Sequence, residues 1–327
     1  MDSKLLGSNI AWLSRYELVH ETLRLFCSKT DFTKLEGTLS PSELELVKSL
    51  LAEKGNKVVY RCSGEEVRIR LIDLGMLAYT LLGVFEGSSQ DHYGTLSRLF
   101  EEQFEVGEQR TVVPKSKESI AADSIQSPHD TDCNYRNKDG NQVKGYSVNL
   151  TESCDKEGLN LISGVEVKKS DAADNGFLEK GVIQAGEVFC DSVEKVHADG
   201  AYHSVSNQEF VSGKNVELLL NAIQGPKDRY DLELDENGIL TVTDLKTERT
   251  VEALKMKNGQ KWRIKTAENY PYFTQKEITA CRLKKKIAAI PQEVLNIRNN
   301  VEATIFQLGY HYPHDKTRYR GLIRHKM

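Results

Sequence analysis

The sequence has no run approaching the ~20 continuous apolar residues that a membrane span needs, and its mean hydropathy is -0.49. Its N-terminus, MDSKLLGSNIAW, lacks the basic start and apolar stretch of a secretory signal. These absences argue against a membrane partner and lead to the expectation of a cytoplasmic protein. No C-x-x-C pair occurs among Cys27, Cys62, Cys133, Cys154, Cys190 and Cys281. That scatter speaks against a structural zinc site and against a disulfide framework, and for reduced, mostly buried thiols. There is no Gly-rich phosphate loop, no Ser-His-Asp order and no metal-ligating histidine pair, which leaves a small-molecule enzyme on an unrelated α/β fold without support. Internal repeats and low-complexity tracts are also missing.

What is present is a chain of 327 residues, 39% apolar and 28% charged, long enough for about two domains with a real core. The net charge of -4 is small and of the wrong sign for a nucleic-acid binder, but it is unevenly spread. Residues 261–327 hold 14 Lys or Arg against 5 Asp or Glu, a balance of +9 that leaves -13 for residues 1–260. Such asymmetry points to one anion-facing region on an otherwise acidic protein, or to a basic helix surface with no partner.

Residues 9–105 read as helical. Trp12, Tyr16, Val19, Leu23 and Phe26 step by 4, 3, 4 and 3, an apolar stripe on one helix face. Ser40-Pro41-Ser42-Glu43 reads as a helix start with Ser40 as N-cap. A third helix is expected over 72–82 and another over 96–105. Residues 106–129 form an exposed connection rich in Ser, Lys and Pro. The period then changes to two: Tyr146, Val148 and Leu150 alternate with Ser147 and Asn149, and 159–168 gives a second strand after a turn at 151–158. A helix is expected over 174–188, with strands over 193–198 and 216–223. Residues 230–265 look like a β-rich insertion with a hairpin at Glu236-Asn237-Gly238. The last 50 or so residues return to helix. The order implies a mixed α/β sheet with helices packed on it.

Two acids stand out by context. Asp199 ends an apolar strand before Gly200, at the kind of sheet edge where α/β ligand sites form, although strand-end Asp residues also serve as turn or cap residues. Glu302 lies beside an apolar helical stripe of Val294, Ile297, Val301, Ile305 and Leu308, with Pro291 in the first turn. Arg298 is four residues earlier on the same face, an arrangement that an ordinary helix ion pair also produces.

The blocks DSKLLGSNIAWLSRYELVHETL, SPHDTDCNYRNKDGNQVKGYSVNLTES, VEKVHADGAYHS, LLLNAIQGPKDRYDL and IRNNVEATIFQLGYHYPHDKTRYRGLIRHKM resemble, in order, those of insertion-sequence DDE transposases. The resemblance spans nearly the whole chain. It implies a ribonuclease H-like mixed sheet flanked by helices, with a helical insertion after the first strand and a β-rich insertion before the last helices. It also implies a catalytic, metal-binding triad of Asp2 on the first core strand, Asp199 after the fourth, and Glu302 on a late helix. Arg298 resembles the Arg of the related Y-R-E-K signature, whose Tyr and Lys positions hold Leu295 and Gly309 here.

The implied chemistry is cleavage and strand transfer of DNA by an in-line displacement. Two Mg²⁺ (or Mn²⁺) ions about 3.5–4 Å apart steady the attacking and leaving oxygens, and Mg²⁺ takes carboxylate oxygens. Arg298, Lys316, Arg318, Tyr319 and Arg320 are the expected DNA contacts, joining phosphate-neutralising charge to a stacking ring, with a solvated basic turn as the other reading of 316–320. His203 and the loop acids Asp130 and Asp132 are weaker candidates. On this reading residues 1–8 are a remnant of the first core strand, 9–105 the helical region, 106–129 a linker, 130–229 the core, 230–265 the insertion, and 266–327 helices that complete the core. The chain is expected to be a version truncated at both ends, and a homodimer on double-stranded DNA by family analogy. Asp199 and Glu302 are expected to face one another across a cleft, joined by Asp2. The alternative is a noncatalytic DNA-binding remnant.

Overall fold

A computed structural model of the chain describes residues 1–138, 140–154, 159–223, 228–256, 261–266 and 269–326. The turn expected at 151–158 and the block LLLNAIQGPKDRYDL therefore lie partly outside the described residues. The fold is mixed α/β. Its contacts divide it into two compact units: Met1–Asp2, Asn149–Val165 and Ala173–Phe306 form one, and Ser3–Val148, Glu166–Ala172 and Gln307–Met327 the other. No helix among the described residues is long and apolar enough to cross a membrane.

β1 (Asp2–Gly7) begins in the first unit at Asp2 and continues in the second, where it leads into six helices: α1 (Arg15–Lys29), α2 (Phe32–Glu36), α3 (Pro41–Ala52), α4 (Gly55–Arg61), α5 (Gly64–Val84) and α6 (Tyr93–Gln103). Local chemistry sets their starts. Ser14, Ser40 and Ser63 each cap a helix through a reciprocal Ser–Glu box, with Glu17, Glu43 and Glu66 three residues on. The expected stripe is real from Tyr16 onward: Val19, Leu23 and Phe26 are fully buried and pack with Leu74, Leu77, Leu81, Leu96 and Leu99. Trp12 is the exception. It precedes the cap and stays 54% exposed, because the Ser14 box starts the helix at Arg15, three residues too late to carry it.

The connection after α6 is more ordered than its composition suggests. A short hairpin, β2 (Phe104–Val106) with β3 (Val112–Pro114), occupies its first third. Phe104 and Val112 pack against α5 at Gly75, where a Cβ would meet the Phe104 ring at 2.6 Å.

β4 (Asn134–Lys138) forms a hairpin with the long β5 (Asn141–Glu152), which also pairs with β1 and with β6 (Ile162–Lys169). β5 is buried on both faces from Gly145 to Thr151, with Ser147 and Asn149 as enclosed as Tyr146 and Val148. The polar half of its alternation thus faces protein. Leu6, Ile10, Cys133, Tyr146, Val148 and Val167 build a core with Leu308, Tyr312 and Leu322.

In the first unit, α7 (Leu178–Phe189) precedes β7 (Lys195–Ala198), and α8 (Val205–Gly213) precedes β8 (Glu217–Leu220). β7 and β8 are parallel, with Ala198 opposite Leu220. Phe177, Leu178, Val182, Ala198, Tyr202 and Leu220 fill the core beneath them, and Met1 joins the same cluster. The main-chain nitrogen of Met1 donates to the His197 carbonyl at 2.7 Å, so the start of β1 lies beside β7.

The insertion is a five-stranded sheet: β9 (Tyr230–Leu234), β10 (Leu240–Asp244), β11 (Arg249–Lys255), β12 (Lys261–Arg263) and β13 (Tyr272–Thr274). The expected hairpin joins β9 to β10, with Gly238 at φ +80°, a backbone angle L side chains rarely adopt. One face of the sheet packs on α9 (Gln275–Ala288) through Leu232, Trp262, Phe273, Ile278 and Cys281. The single helix expected around Glu302 is two: α10 (Gln292–Asn296) and α11 (Asn299–Tyr310), with Pro291 as the N-cap of the first. α12 (Leu322–Lys326) follows.

Candidate active site

Asp199 sits where β7 ends. Its backbone is extended (φ -69°, ψ 158°) and caps a single 3₁₀ turn over Gly200–Tyr202. That turn is held on several sides. Gly200 N–H donates to the Asn221 side chain at 3.2 Å, the Tyr202 hydroxyl donates to Asn149 Oδ1 at 2.5 Å, and Asn207 donates to the Tyr202 carbonyl at 2.8 Å. Gly200 is required by packing: a Cβ there would lie 2.1 Å from the Ala222 carbonyl oxygen. The cap role weighed for Asp199 is thus present in its backbone. No hydrogen bond or ion pair engages its carboxylate among the described residues, so the group is available for a ligand.

Glu302 lies in the first turn of α11, whose apolar face buries Val301 and Ile305. Thr304 Oγ1 donates to Glu152 Oε2 at 2.9 Å and ties the helix to the end of β5. Arg298 precedes α11, and Glu302 N–H donates to its carbonyl at 3.3 Å, so the i,i+4 relation survives the break between the two helices.

The Arg298 guanidinium is the centre of the arrangement. Its Nη2 contacts Glu302 Oε1 and lies 3.6 Å from Asp2 Oδ2. The Arg298 side chain is 10% exposed and that of Asp2 16%, a largely desolvated pair, whereas Glu302, the second anion, is 46% exposed. Desolvation strengthens such contacts relative to surface pairs. Residues 300 positions apart in sequence are thereby brought to one cationic group. Arg298 Nε is buried without a hydrogen-bond partner, so the fork is only partly used.

Of the expected triad, Asp2 and Glu302 are thus brought together, through Arg298. Asp199 stands outside the ion-paired group, two residues beyond the carbonyl that receives the Met1 N–H. Among the described residues no group of three or more His, Cys, Asp or Glu side chains is gathered closely enough to hold a metal ion.

The 316–320 block lies in the other unit, and its four expected DNA contacts behave differently. Lys316 is structural: its ammonium donates to the Ile10 carbonyl at 2.6 Å. Arg320 Nε likewise donates to the Asn9 carbonyl at 2.6 Å. Arg318 and Tyr319 are exposed, Tyr319 to 53%, and Tyr310 to 82%. Asp130 is a core residue, 3% exposed, whose carboxylate accepts the Ser8 and Tyr146 hydroxyls. Asp132 accepts the Leu322 N–H at 3.3 Å. His203 donates its backbone N–H to Gly200 and makes no side-chain hydrogen bond among the described residues.

Sequence reasoning did not single out Asn149, Glu152, Tyr202 or Asn221, which hold the site from behind. Only Tyr202 left a signal, as an aromatic three residues after Asp199 in a short turn. Comparison with protein-family models, characterised proteins and solved structures gives no match.

Proposed function

We propose that the chain is a DNA transposase of the DDE kind, a metal-dependent protein that cleaves and transfers DNA strands through Asp2, Asp199 and Glu302. The reading takes the start of β1, set beside β7 by the Met1–His197 hydrogen bond, and the parallel β7–β8 pair as parts of a ribonuclease H-like sheet. The observation that carries it is the meeting of Asp2 and Glu302 on one largely buried guanidinium. Holding Asp2 and Arg298 largely out of water is costly, and Glu302, 46% exposed, adds a second anion to the same guanidinium.

Mg²⁺ or Mn²⁺ is the ion this proposal assigns to the carboxylates of Asp2, Asp199 and Glu302. Carboxylates are the oxygen ligands that Mg²⁺ takes, and Asp2 and Glu302 already share a cationic partner. When bound, such ions stabilise the attacking and leaving oxygens of an in-line phosphodiester displacement. The residues themselves have separate duties. Asp2 and Glu302 supply negative charge from β1 and α11. Asp199 adds a third carboxylate from a turn pinned by Asn221 and by the Tyr202–Asn149 pair. Arg298 can hold a phosphate through its fork of donors. Double-stranded DNA is the substrate and a homodimer on paired element ends the working form. The noncatalytic alternative draws on the exposed Arg318, Tyr319 and Tyr310, which can hold DNA by charge and stacking without any carboxylate.

Nicking of supercoiled plasmid in Mg²⁺ or Mn²⁺ separates the two. Metal-dependent nicking lost in Asp199→Ala and Glu302→Ala, with DNA binding retained, supports the enzyme. Salt-sensitive binding unchanged by those substitutions, with no nicking by any form, supports the binding remnant.

A further inference from the structure

Arg298 occupies an unusual place for a residue expected to grip DNA. Its guanidinium is turned inward, nine-tenths buried, against the two carboxylates that the proposed function assigns to metal. A cation that large and that enclosed cannot contact a phosphate while it faces Asp2 and Glu302. Nor can those carboxylates ligate a divalent ion through the same oxygens while Nη2 lies against them. Arg298 Nε has no partner in this arrangement, so the inward pose leaves part of the donor fork unsatisfied. An Arg side chain has several rotatable bonds, and its root lies at the break between α10 and α11, where an outward turn needs no change in either helix.

We propose that Arg298 is the resident counter-cation of Asp2 and Glu302, that a divalent metal ion must displace it to take both carboxylates, and that the displaced guanidinium then binds a DNA phosphate. The inference rests on the proposed function, since it assigns Asp2 and Glu302 to metal. Two consequences follow from linkage. Metal binds only the fraction of molecules with Arg298 turned out, so the apparent affinity is weakened by that fraction. A phosphate that captures the outward guanidinium enlarges that fraction, so DNA and metal tighten each other's binding by the same factor.

The test is Mn²⁺ binding to the full chain, followed by the electron paramagnetic resonance of free Mn²⁺, with and without a short DNA duplex. Arg298→Gln is expected to bind Mn²⁺ more tightly than the wild type, by on the order of tenfold if the inward pose is favoured about ten to one. The duplex is expected to tighten Mn²⁺ binding to the wild type and to leave Arg298→Gln unchanged. Arg298→Lys, which keeps a cation in place, is expected to retain the weaker affinity and guards against a folding defect in the neutral variant. Equal or weaker Mn²⁺ binding by Arg298→Gln overturns the inference while leaving the metal site intact. If Mn²⁺ binds the wild type and Glu302→Gln equally, or binds neither, the underlying functional reading fails and the inference with it.

Discussion

Gly200→Ala puts the geometry around Asp199 to a direct test. The substitution changes no charge, hydrogen-bonding side chain or apolar surface of consequence. A Cβ at this position would stand 2.1 Å from the Ala222 oxygen and 2.8 Å from its carbonyl carbon. Unstrained heavy-atom contacts begin near about 3.5 Å, so one of the two backbones must retreat by about 1 Å. Both obstructing atoms are backbone, so no side-chain rotation can relieve the clash. Overpacking of this kind costs about 1–3 kcal/mol, and at about 2–4 °C per kcal/mol for a large domain the Tm should fall by about 2–12 °C. Asp199 is the adjacent residue and moves with the turn. A displacement of about 1 Å in a reacting group costs on the order of 100-fold in rate. On the proposed function, nicking should therefore drop far more than the loss of folded protein explains, while DNA binding persists. Gly83→Ala is the control: it lies in α5 with open space around its missing Cβ, and should gain about 0.5–1 kcal/mol. Gly200→Ala protein with wild-type Tm and wild-type nicking would show that the Gly200 turn does not set the position of Asp199.

Three further outcomes are expected. Asp130→Ala strands the buried Ser8 and Tyr146 hydroxyls and should cost about 2–4 kcal/mol in urea unfolding, whereas the Tyr146→Phe single change should cost less. Burial holds the His20 pKa below its ordinary 6.5, so the unfolded chain binds more protons at mildly acid pH. Stability is then present above about pH 6.5 and is lost as pH falls below it, with a gentler fall in His20→Leu. Burial pushes the Cys27 thiol up to about 12 and that of Cys133 higher than its ordinary value, while Cys190 is exposed after α7. A thiol-reactive dye at pH 8 should label Cys190 quickly, and Cys27 and Cys133 only on unfolding.

The local features of the fold were legible because they are written in neighbouring residues. Ser40-Pro41-Ser42-Glu43 carries its own cap, and Asp235, Asn237 and Gly238 carry their own turn. Trp12 misled because a stripe of apolar residues does not reveal where the helix begins; the Ser14–Glu17 box decides that. The 106–129 stretch hid a hairpin whose strands are three residues long, too short to show a period. The helix read through Val294–Leu308 is broken after Asn296, and side-chain periodicity alone did not register that break.

At the candidate site, the Arg298–Glu302 relation was visible as a four-residue spacing, whereas its third member, Asp2, is joined by folding alone. The basic block 316–320 shows the limit of composition. Lys316 and Arg320 donate to main-chain carbonyls of Ile10 and Asn9, contacts that no local pattern encodes, while Arg318 and Tyr319 are exposed.

On the proposed function, Asp2, Asp199 and Glu302 hold one metal site. Fe²⁺ in place of Mg²⁺, with ascorbate and peroxide, generates hydroxyl radicals that cut the polypeptide beside the bound ion. Cuts close to Asp199 and Glu302 are expected, suppressed by excess Mg²⁺ and abolished by Glu302→Ala. Cuts confined to other segments, or cuts near Asp199 and Glu302 that neither Mg²⁺ nor Glu302→Ala alters, would contradict it.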